Sequence, residues 1–442
     1  MNNSSVLIDI RQLRVGMYIQ LDVGWLRHPF PTSSFKLTSP EQIQQLRALG
    51  VQQVRYVPAK SDPTAAESAP LDGAQPPAGE PAPAPPQQPA AGAAPAAPTG
   101  ISALRARRLE ALALVNAQRV AVDRCDQRFS EVTRGYQQLT AKLPSDPREA
   151  RTLADSLVGS SVAEVLDNGD SAIQLLSQGI GAQPAMHAVN VMVLSLLLGR
   201  ALGVPRDGLL DIGKAALLHD VGKHVLPLHL AEPTSPLSPP DCQRYQSHVA
   251  ESVNAARSMG LPGPVQVAIA QHHEMADGSG FPLGLQAEDL SRAGQIVALV
   301  NHYDRACSPL HGATALTPHE ALSVIYAQHK MRFDAITLGA FIRMMGVYPP
   351  GSVVQLVNDR YALVMSVNSS RPLRPRVLVH DPRVPKDEAL VLDLETVPEL
   401  GIRRSLRPSQ LPRDALDYLA PRQRICYFFE RAAEPSSGEA AP

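Results

Sequence analysis

Residues 61–100 read SDPTAAESAPLDGAQPPAGEPAPAPPQQPAAGAAPAAPTG, and almost all of them are Pro, Ala, Gly or small polar residues. A segment of this composition buries too little apolar surface to offset the conformational entropy lost on folding. We therefore predict an extended, disordered linker at 61–100. It divides the 442-residue chain into a small unit at 1–60 and everything that follows the linker.

The unit before the linker is predicted to be a compact α+β module. Apolar and polar residues alternate in SVLIDI and GMYIQLDV, which favours short strands, and VQQVRYV predicts a further strand. Between them, Pro40 and Glu41 open the helix EQIQQLRALG, which Gly50 ends. The loop around Trp25 either contacts a partner or packs its aromatic rings on its own module, and we favour the packing.

After the linker the chain is predicted to be mainly helical. Residues 101–145 have helical spacing and are predicted to form one long connecting helix, and Asp146, Pro147 and Glu149 then begin another. Helix follows helix over 146–348, with a second capping box at 317–320. At 349–430 the period changes to two, which indicates a small β extension with a hairpin at Asn358-Asp359, and 431–442 is a frayed tail.

Bulk composition excludes several kinds of partner. The formal net charge of −1 gives no basic field for a nucleic acid polymer. The longest apolar run, VMVLSLLL at 191–198, is shorter than the roughly 18–20 residues that cross a bilayer, and the N-terminus shows no secretion signal. We expect a cytoplasmic protein without membrane contact. The four cysteines are scattered without a C-x-x-C, so any metal must be bound by His, Asp and Glu.

Two short motifs are rich in metal-binding residue types. HHEMADGSGFP places His272 and His273 side by side, and HDVGK contains a His-Asp pair followed by Lys223. Neighbours on a helix project about 100° apart, so two adjacent imidazoles do not bind one ion from the same side. They can instead serve two ions a few ångströms apart, as in two-metal phosphohydrolases. His187 and His248 lie in the same predicted helical region, 146–348.

This order of motifs resembles the HD-GYP family, a branch of the metal-dependent HD phosphohydrolases, over roughly 180–348. The module at 1–60 resembles a domain of unknown function that often precedes HD-GYP domains. The resemblance implies a mainly α protein with a helical HD core at 146–348, between the α+β module and the β extension. It also implies hydrolysis of cyclic di-GMP to pGpG, to GMP or to both.

The resemblance further implies two divalent metal ions, bound by two groups of side chains. The first group is His187, His219 and Asp220, and the second is Asp220, His248, His272 and His273. Iron or manganese is preferred, and zinc, magnesium and nickel stay open. Asn301 stands where the family has a metal-binding Asp, so we expect it to ligate through its neutral carbonyl oxygen.

Substrate contacts are implied in the same way. Lys223 is expected to contact the scissile phosphate and, with Asp220, to be catalytic. Gly280, Phe281 and Pro282 replace the Gly-Tyr-Pro signature and are expected to bind substrate. Glu274 and Asp277 either orient the imidazoles or fix the turn, and for Asp277 we favour the turn.

Asn301 and two lost cationic positions leave rival functions open, since Glu232 and SPLHGA at 308–313 lack the family's Lys and Arg. A further departure, Gln183 in place of the Glu of three-metal members, favours two metals. One rival is a non-hydrolysing sensor that binds cyclic di-GMP or a protein partner, and another is a phosphohydrolase of a different nucleotide. The long helix has enough apolar periodicity for a homodimer or a signalling partner, and packing on its own domain explains it equally well.

Overall fold

The structure is a computed structural model of the chain. It describes residues 5–20, 34–48, 53–62, 100–167, 171–176, 183–231, 233, 236–309, 315–368, 373–397, 400–422 and 424–431. Most of the predicted linker, the loop around Trp25, Glu232 and the C-terminal tail lie outside these residues. Two compact units are present, one comprising 1–116 with 381–389 and the other 117–380 with 390–442.

The first unit contains a four-stranded antiparallel sheet and a short helix, which confirms the predicted α+β module; the strand at Ser34–Lys36 was not predicted. Its elements are β1 (Val6–Asp9), β2 (Tyr18–Gln20), β3 (Ser34–Lys36), α1 (Pro40–Ala48) and β4 (Gln53–Tyr56). The strand order is β1-β4-β2-β3, with Val6 paired to Tyr56 and Ile19 to Phe35. Ile19, Leu37 and Leu46 are fully buried and form the centre of its core.

The second unit is built mainly from helices, which confirms the predicted mainly α fold class. They are α2 (Gly100–Lys142, from residue 117 on), α3 (Pro147–Asp167), α4 (Gln183–Ala201), α5 (Arg206–Leu218), α6 (Leu228–Ala231), α7 (Pro239–Ser258), α8 (Gly263–Ala270), α9 (Arg292–Cys307), α10 (Pro318–Gln328), α11 (Ala335–Met345) and α12 (Arg413–Leu419). The predicted capping box at Thr317 and Glu320 begins α10.

Helix α4 is the central helix of this unit. Its window Pro184–Ala201 is long and apolar enough to cross a membrane by composition, but 83% of it is buried inside the domain. A helix that is apolar on all sides is stable only where other elements cover it. Helices α5, α9 and α11 and the last strand pack around it. The N-terminal turn of α4 therefore presents His187 to the middle of the helical core.

A seven-stranded antiparallel sheet closes the unit. Its strands are β5 (Ser171–Leu175), β6 (Val353–Leu356), β7 (Tyr361–Asn368), β8 (Arg376–Val379), β9 (Val391–Asp393), β10 (Ile402–Leu406) and β11 (Tyr427–Arg431). The main order is β10-β6-β7-β5-β11, and β8 joins β7 to β9. The hairpin at Asn358-Asp359 is present as predicted, and Asp359 has a φ of 66°.

Strand β5 corrects the expectation of uninterrupted helices over 146–348. Ser171–Leu175 pairs with β7 on one side and β11 on the other, and Ile173 faces Phe429 across the pair. Because the strand is paired along both edges, its two neighbours supply the backbone hydrogen bonds that it needs. The C-terminal sheet is thus assembled around a strand that precedes the site-bearing helices in the chain.

Candidate metal centre

The His-Asp pair lies where the backbone leaves a helix. Helix α5 ends at Leu218, His219 is its C-cap, and Asp220 precedes a 3-10 segment at Val221–Val225. His219 keeps helical backbone angles (φ −55°, ψ −37°), whereas Asp220 (φ −102°, ψ 4°) does not, so the chain changes direction between them. His219 Nε2 lies 3.5 Å from Asp220 Oδ2, so both side chains address one centre.

Gly222 explains how the 3-10 segment reaches its position. A Cβ atom at Gly222 would lie 2.3 Å from His248 O and 2.4 Å from Ser252 N, both in the backbone of α7. The Gly222 N–H donates to Ser252 Oγ at 2.9 Å. Only glycine permits this approach, and the approach brings Asp220 beside His248, which α7 carries.

The double histidine lies in a turn after α8, which ends at Ala270. The helical argument against two adjacent imidazoles at one point does not apply to this turn, and the ring centroids of His272 and His273 are 4.2 Å apart. Glu274 is buried and accepts hydrogen bonds from the backbone N–H groups of the following loop, at Leu283 (2.7 Å) and Leu285 (3.0 Å). Glu274 therefore fixes the turn.

Asp277 also fixes the turn, since its Oδ1 accepts from the backbone N–H of Ser279 at 3.0 Å. Gly280 lies against backbone, with its virtual Cβ 2.4 Å from Met275 N. The Phe281 ring stacks on His273 at 4.3 Å, and Pro282 follows through a cis peptide bond. These residues shape the wall beside His273, and none of the three predicted substrate contacts lines the cleft described below.

The predicted ligands come together in two groups that share one carboxylate. Within each group the candidate ligand atoms lie within 4.8 Å of one another. The first group is His187, His219 and Asp220, and the second is Asp220, His248, His272 and His273. Asp220 Oδ2 lies 3.6 Å from His187 Nε2, while its Oδ1 lies 3.3 Å from His248 Nε2, so each oxygen faces one group.

Backbone carbonyls orient three of the histidines in the same way. Each ring nitrogen Nδ1 lies 2.5–2.7 Å from the carbonyl oxygen three residues earlier, in the pairs His219 with Ala216, His248 with Tyr245, and His272 with Ile269. An Nδ1–H that donates to a carbonyl leaves Nε2 as the free lone pair. All three rings therefore carry the proton on Nδ1 and direct the Nε2 lone pair toward Asp220. This is the tautomer that binds metal.

Unsatisfied buried atoms support a metal at this place. His273 Nε2, Asp220 Oδ1 and Asn301 Oδ1 are buried and have no hydrogen-bond partner. Leaving such an atom unpaired costs about 1–3 kcal/mol, and a divalent cation at the cluster would remove that cost for Asp220 and His273. Imidazole and carboxylate donors suit iron, manganese and zinc, so the residues present fit a divalent metal.

Burial and charge set the protonation of the ligands. Burial lowers the pKa of His187, His219, His272 and His273, and for His219 and His273 it does so strongly. Burial alone would raise the pKa of Asp220, but Lys223, His219 and Arg305 hold it well below its usual value. The site therefore combines neutral imidazoles with an ionised carboxylate, which is the state that binds cations.

A cleft of about 250 Å³ opens beside Asp220. Its lining combines polar and apolar residues, namely Tyr136, Pro184, His187, Asp220, Lys223, His224, Leu226, Leu228, Ala231 and Arg305. Lys223 Nζ lies 2.7 Å from Asp220 Oδ2 and 5.2 Å from the centre of the Tyr245 ring.

Sequence reasoning missed several residues of this site. Asp304 Oδ2 lies 2.5 Å from His187 Nδ1, Arg305 contacts Asp220, and Asn190 donates to the other Asp304 oxygen. One signal was available, because Asn301, Asp304 and Arg305 are spaced i, i+3 and i+4 and so share one face of a helix. Nothing in the local sequence marked Tyr136 or Asn190.

Comparison with known proteins agrees with the motifs. Residues 171–336 match the HD domain family, and residues 5–152 match the domain of unknown function DUF3391. Cyclic di-GMP phosphodiesterase PA4108 from Pseudomonas aeruginosa is 27% identical over 84% of this chain and 84% of its own length. The 3'3'-cGAMP-specific phosphodiesterase 2 from Vibrio cholerae is 29% identical over 32% of this chain and 27% of its own length.

One solved structure is also similar to this chain. The HDG"Y"P protein Bd1817 from Bdellovibrio bacteriovorus is 16% identical to this chain, with a TM-score of 0.41 over 76% of this chain and 98% of its own. The two domain matches together include the whole His and Asp cluster, and they confirm the resemblance drawn from the motifs. The chain therefore contains an HD domain, preceded by a domain that matches DUF3391.

Proposed function

We propose that this protein is a metal-dependent phosphodiesterase that hydrolyses cyclic di-GMP at a dinuclear metal centre. One observation carries the proposal: two groups of histidines share Asp220, and its two oxygens face different groups. A carboxylate in this position would hold two cations, one through each oxygen. Iron or manganese is the preferred metal.

Two such cations supply Lewis acidity at a phosphodiester and lower the pKa of a water molecule toward neutrality. The chain's own groups prepare the site for that chemistry. His187, His219, His272 and His273 stay neutral, so cations bind without displacing protons from these imidazoles. Lys223 is held over the Tyr245 ring at the floor of the cleft, where its ammonium can donate to a phosphate oxygen.

The lining of the cleft suits a cyclic dinucleotide. Lys223 and Arg305 give the cleft positive charge, while Tyr136, Leu226 and Leu228 give it apolar surface for flat bases. Cyclic di-GMP is the favoured substrate because the relative similar over 84% of this chain is named as a phosphodiesterase of that molecule. Cleavage of one phosphodiester gives pGpG, and cleavage of the second gives GMP.

Single-turnover hydrolysis by anaerobically purified protein tests the proposal. Cyclic di-GMP and 3'3'-cGAMP are compared on one sample, and metal per chain is counted on the same sample. We expect two metals and cleavage of cyclic di-GMP, and both are lost in Asp220→Ala. Asp289→Asn, an exposed carboxylate outside the cluster, serves as the matched control and keeps both.

Each other result contradicts a defined part of the proposal. An Asp220→Ala variant that keeps metal and turnover rules out the bridging carboxylate. Cleavage of 3'3'-cGAMP alone rules out the substrate. Protein that binds cyclic di-GMP without cleaving it, even after reloading with iron or manganese, is a sensor. We also propose a cytoplasmic location, because the described helix that is long and apolar enough to span a membrane is mostly buried in the domain core.

A further inference from the structure

Arg305 lines the cleft, although no motif pointed to it. Its side chain is 23% exposed and its guanidinium contacts Asp220 Oδ2, the oxygen that Lys223 also contacts. Arg305 also lines a small neighbouring pocket of about 20 Å³, together with Arg424 and Ile425. The open space beyond its contact with Asp220 therefore lies in the cleft.

The local charges are not balanced once the proposed metals are counted. Asp220 already faces both Lys223 and Arg305, and the Asp304 carboxylate is occupied by His187 and Asn190. The histidine ligands contribute no negative charge. Two divalent cations and two basic side chains thus exceed the charge of the two carboxylates, so the site attracts an anion with more than one negative charge.

Arginine is suited to bind that anion. Its planar guanidinium donates two parallel hydrogen bonds to a phosphate, whereas lysine donates from a single ammonium. Lys223 and Arg305 approach the same point from the 3-10 segment and from α9, respectively. A phosphate lying above Asp220 would then be contacted from two directions, with the bases toward Tyr136 and Leu228 in the same cleft.

We propose that Arg305 is a substrate-binding residue that contacts a phosphate of the cyclic dinucleotide. The inference rests on the proposed function and extends it. It also explains how the site functions with Glu232 and SPLHGA at the two positions where family members have Lys and Arg. The cationic contact comes from α9 instead, one turn after Asn301 and directly beside the ligand cluster.

The test compares Arg305→Gln and Arg305→Lys with Arg343→Gln, an exposed arginine on α11 that serves as the matched control. Four quantities are measured on each protein: metal per chain, the Kd of cyclic di-GMP, KM and kcat. Bis(p-nitrophenyl) phosphate is a second substrate, since it presents a phosphodiester without nucleobases.

We expect Arg305→Gln to keep its metals and to raise Kd and KM about 10- to 100-fold, the effect of losing a charge-assisted hydrogen bond. Arg305→Lys recovers part of that loss because the charge remains while the paired geometry is lost. Arg343→Gln matches the wild type. The retained metal also shows that the variant is folded around an intact cluster.

The two proposals fail in distinguishable ways. If the wild type cleaves cyclic di-GMP and Arg305→Gln has unchanged Kd and KM, Arg305 does not bind the phosphate and the proposed function stands. If the wild type ignores cyclic di-GMP but cleaves the nitrophenyl diester with a KM that rises in Arg305→Gln, the phosphate contact stands and the substrate is wrong. Inactivity of the wild type on both substrates overturns both.

Discussion

Asp304 Oδ2 lies 2.5 Å from His187 Nδ1, and both residues are almost fully buried. The other Asp304 oxygen accepts from Asn190, whose own Oδ1 accepts the backbone N–H of Tyr427 at 2.8 Å. A buried chain of hydrogen bonds thus connects the C-terminal strand to a candidate metal ligand. His187 differs in this from His219, His248 and His272, which backbone carbonyls orient.

Asp304→Asn is predicted to weaken metal binding at the first ligand group. The amide keeps the shape of the side chain but loses the negative charge that makes His187 a stronger donor. Loss of a carboxylate behind a metal-binding histidine typically costs about 10- to 100-fold in metal affinity. Competition with a chromophoric chelator measures this affinity, and unchanged affinity would show that Asp304 only packs against His187.

Gly222→Ala is predicted to displace the 3-10 segment that follows Asp220. The new methyl would overlap the α7 backbone at His248 and Ser252, and overpacking of this kind costs about 1–3 kcal/mol. We expect a lower free energy of unfolding in urea together with lower metal content, because Asp220 and His248 move apart.

Gly159→Ala, on α3, is the matched control for that change. A Cβ atom at Gly159 meets nothing within 4 Å, and alanine favours the helix by about 0.5–1 kcal/mol. The control should therefore be at least as stable as the wild type. Full metal content and wild-type stability in Gly222→Ala would mean that the close approach to α7 is not required.

Acid should destabilise the metal-free protein. Burial lowers the pKa of His187, His219, His272 and His273 in the folded state, while the unfolded chain titrates these imidazoles near pH 6.5. Below that pH the unfolded state binds more protons, so the free energy of unfolding falls as the pH decreases. Each imidazole that stays neutral contributes up to about 1.4 kcal/mol per pH unit.

Urea titrations between pH 7.5 and pH 5.5, with a chelator present, measure this slope. His273→Gln should flatten it because one neutral imidazole is removed, whereas His229→Gln, at an exposed position outside the cluster, should leave it unchanged. A stability that is constant across this range would show that the imidazoles bind protons equally in the folded and unfolded states, so that burial does not lower their pKa.

Much of the candidate site was predicted from the order of the motifs. His219, His248 and His273 lie in or beside helices and turns that have strong local sequence signals. Strand β5 did not follow, because SAIQL is short and its state depends on pairing with Tyr427–Arg431 at the far end of the chain. Local propensity cannot report such a pairing.

Arg305 escaped prediction for a different reason. Helical spacing showed that it shares a face with Asn301, but only the packing of α9 against α4 and α5 turns that face toward Asp220. The prediction for His272 and His273 was wrong for a similar reason. Both were assumed to lie on an ideal helix, but the chain has already left α8 at these positions. Element types were predictable, and the directions taken at their ends were not.

Asn301→Asp is predicted to change the stability of the two forms in opposite directions. Asn301 is 2% exposed and its Oδ1 has no hydrogen-bond partner. Without metal, a carboxylate here is a buried charge, so the free energy of unfolding should fall. With metal bound, the added charge strengthens a ligand that is otherwise a neutral carbonyl, so metal affinity should rise.

Unfolding with and without manganese, together with chelator competition, separates the two effects, and the exposed Asn254→Asp is the control. A wider gap between the metal-bound and metal-free stabilities supports position 301 as a ligand. Lower stability in both forms with unchanged metal affinity would place Asn301 outside the coordination sphere. A ligand that changes from a neutral carbonyl to a carboxylate must change metal affinity, so that second result would leave Asp220 and the five histidines as the proposed ligands.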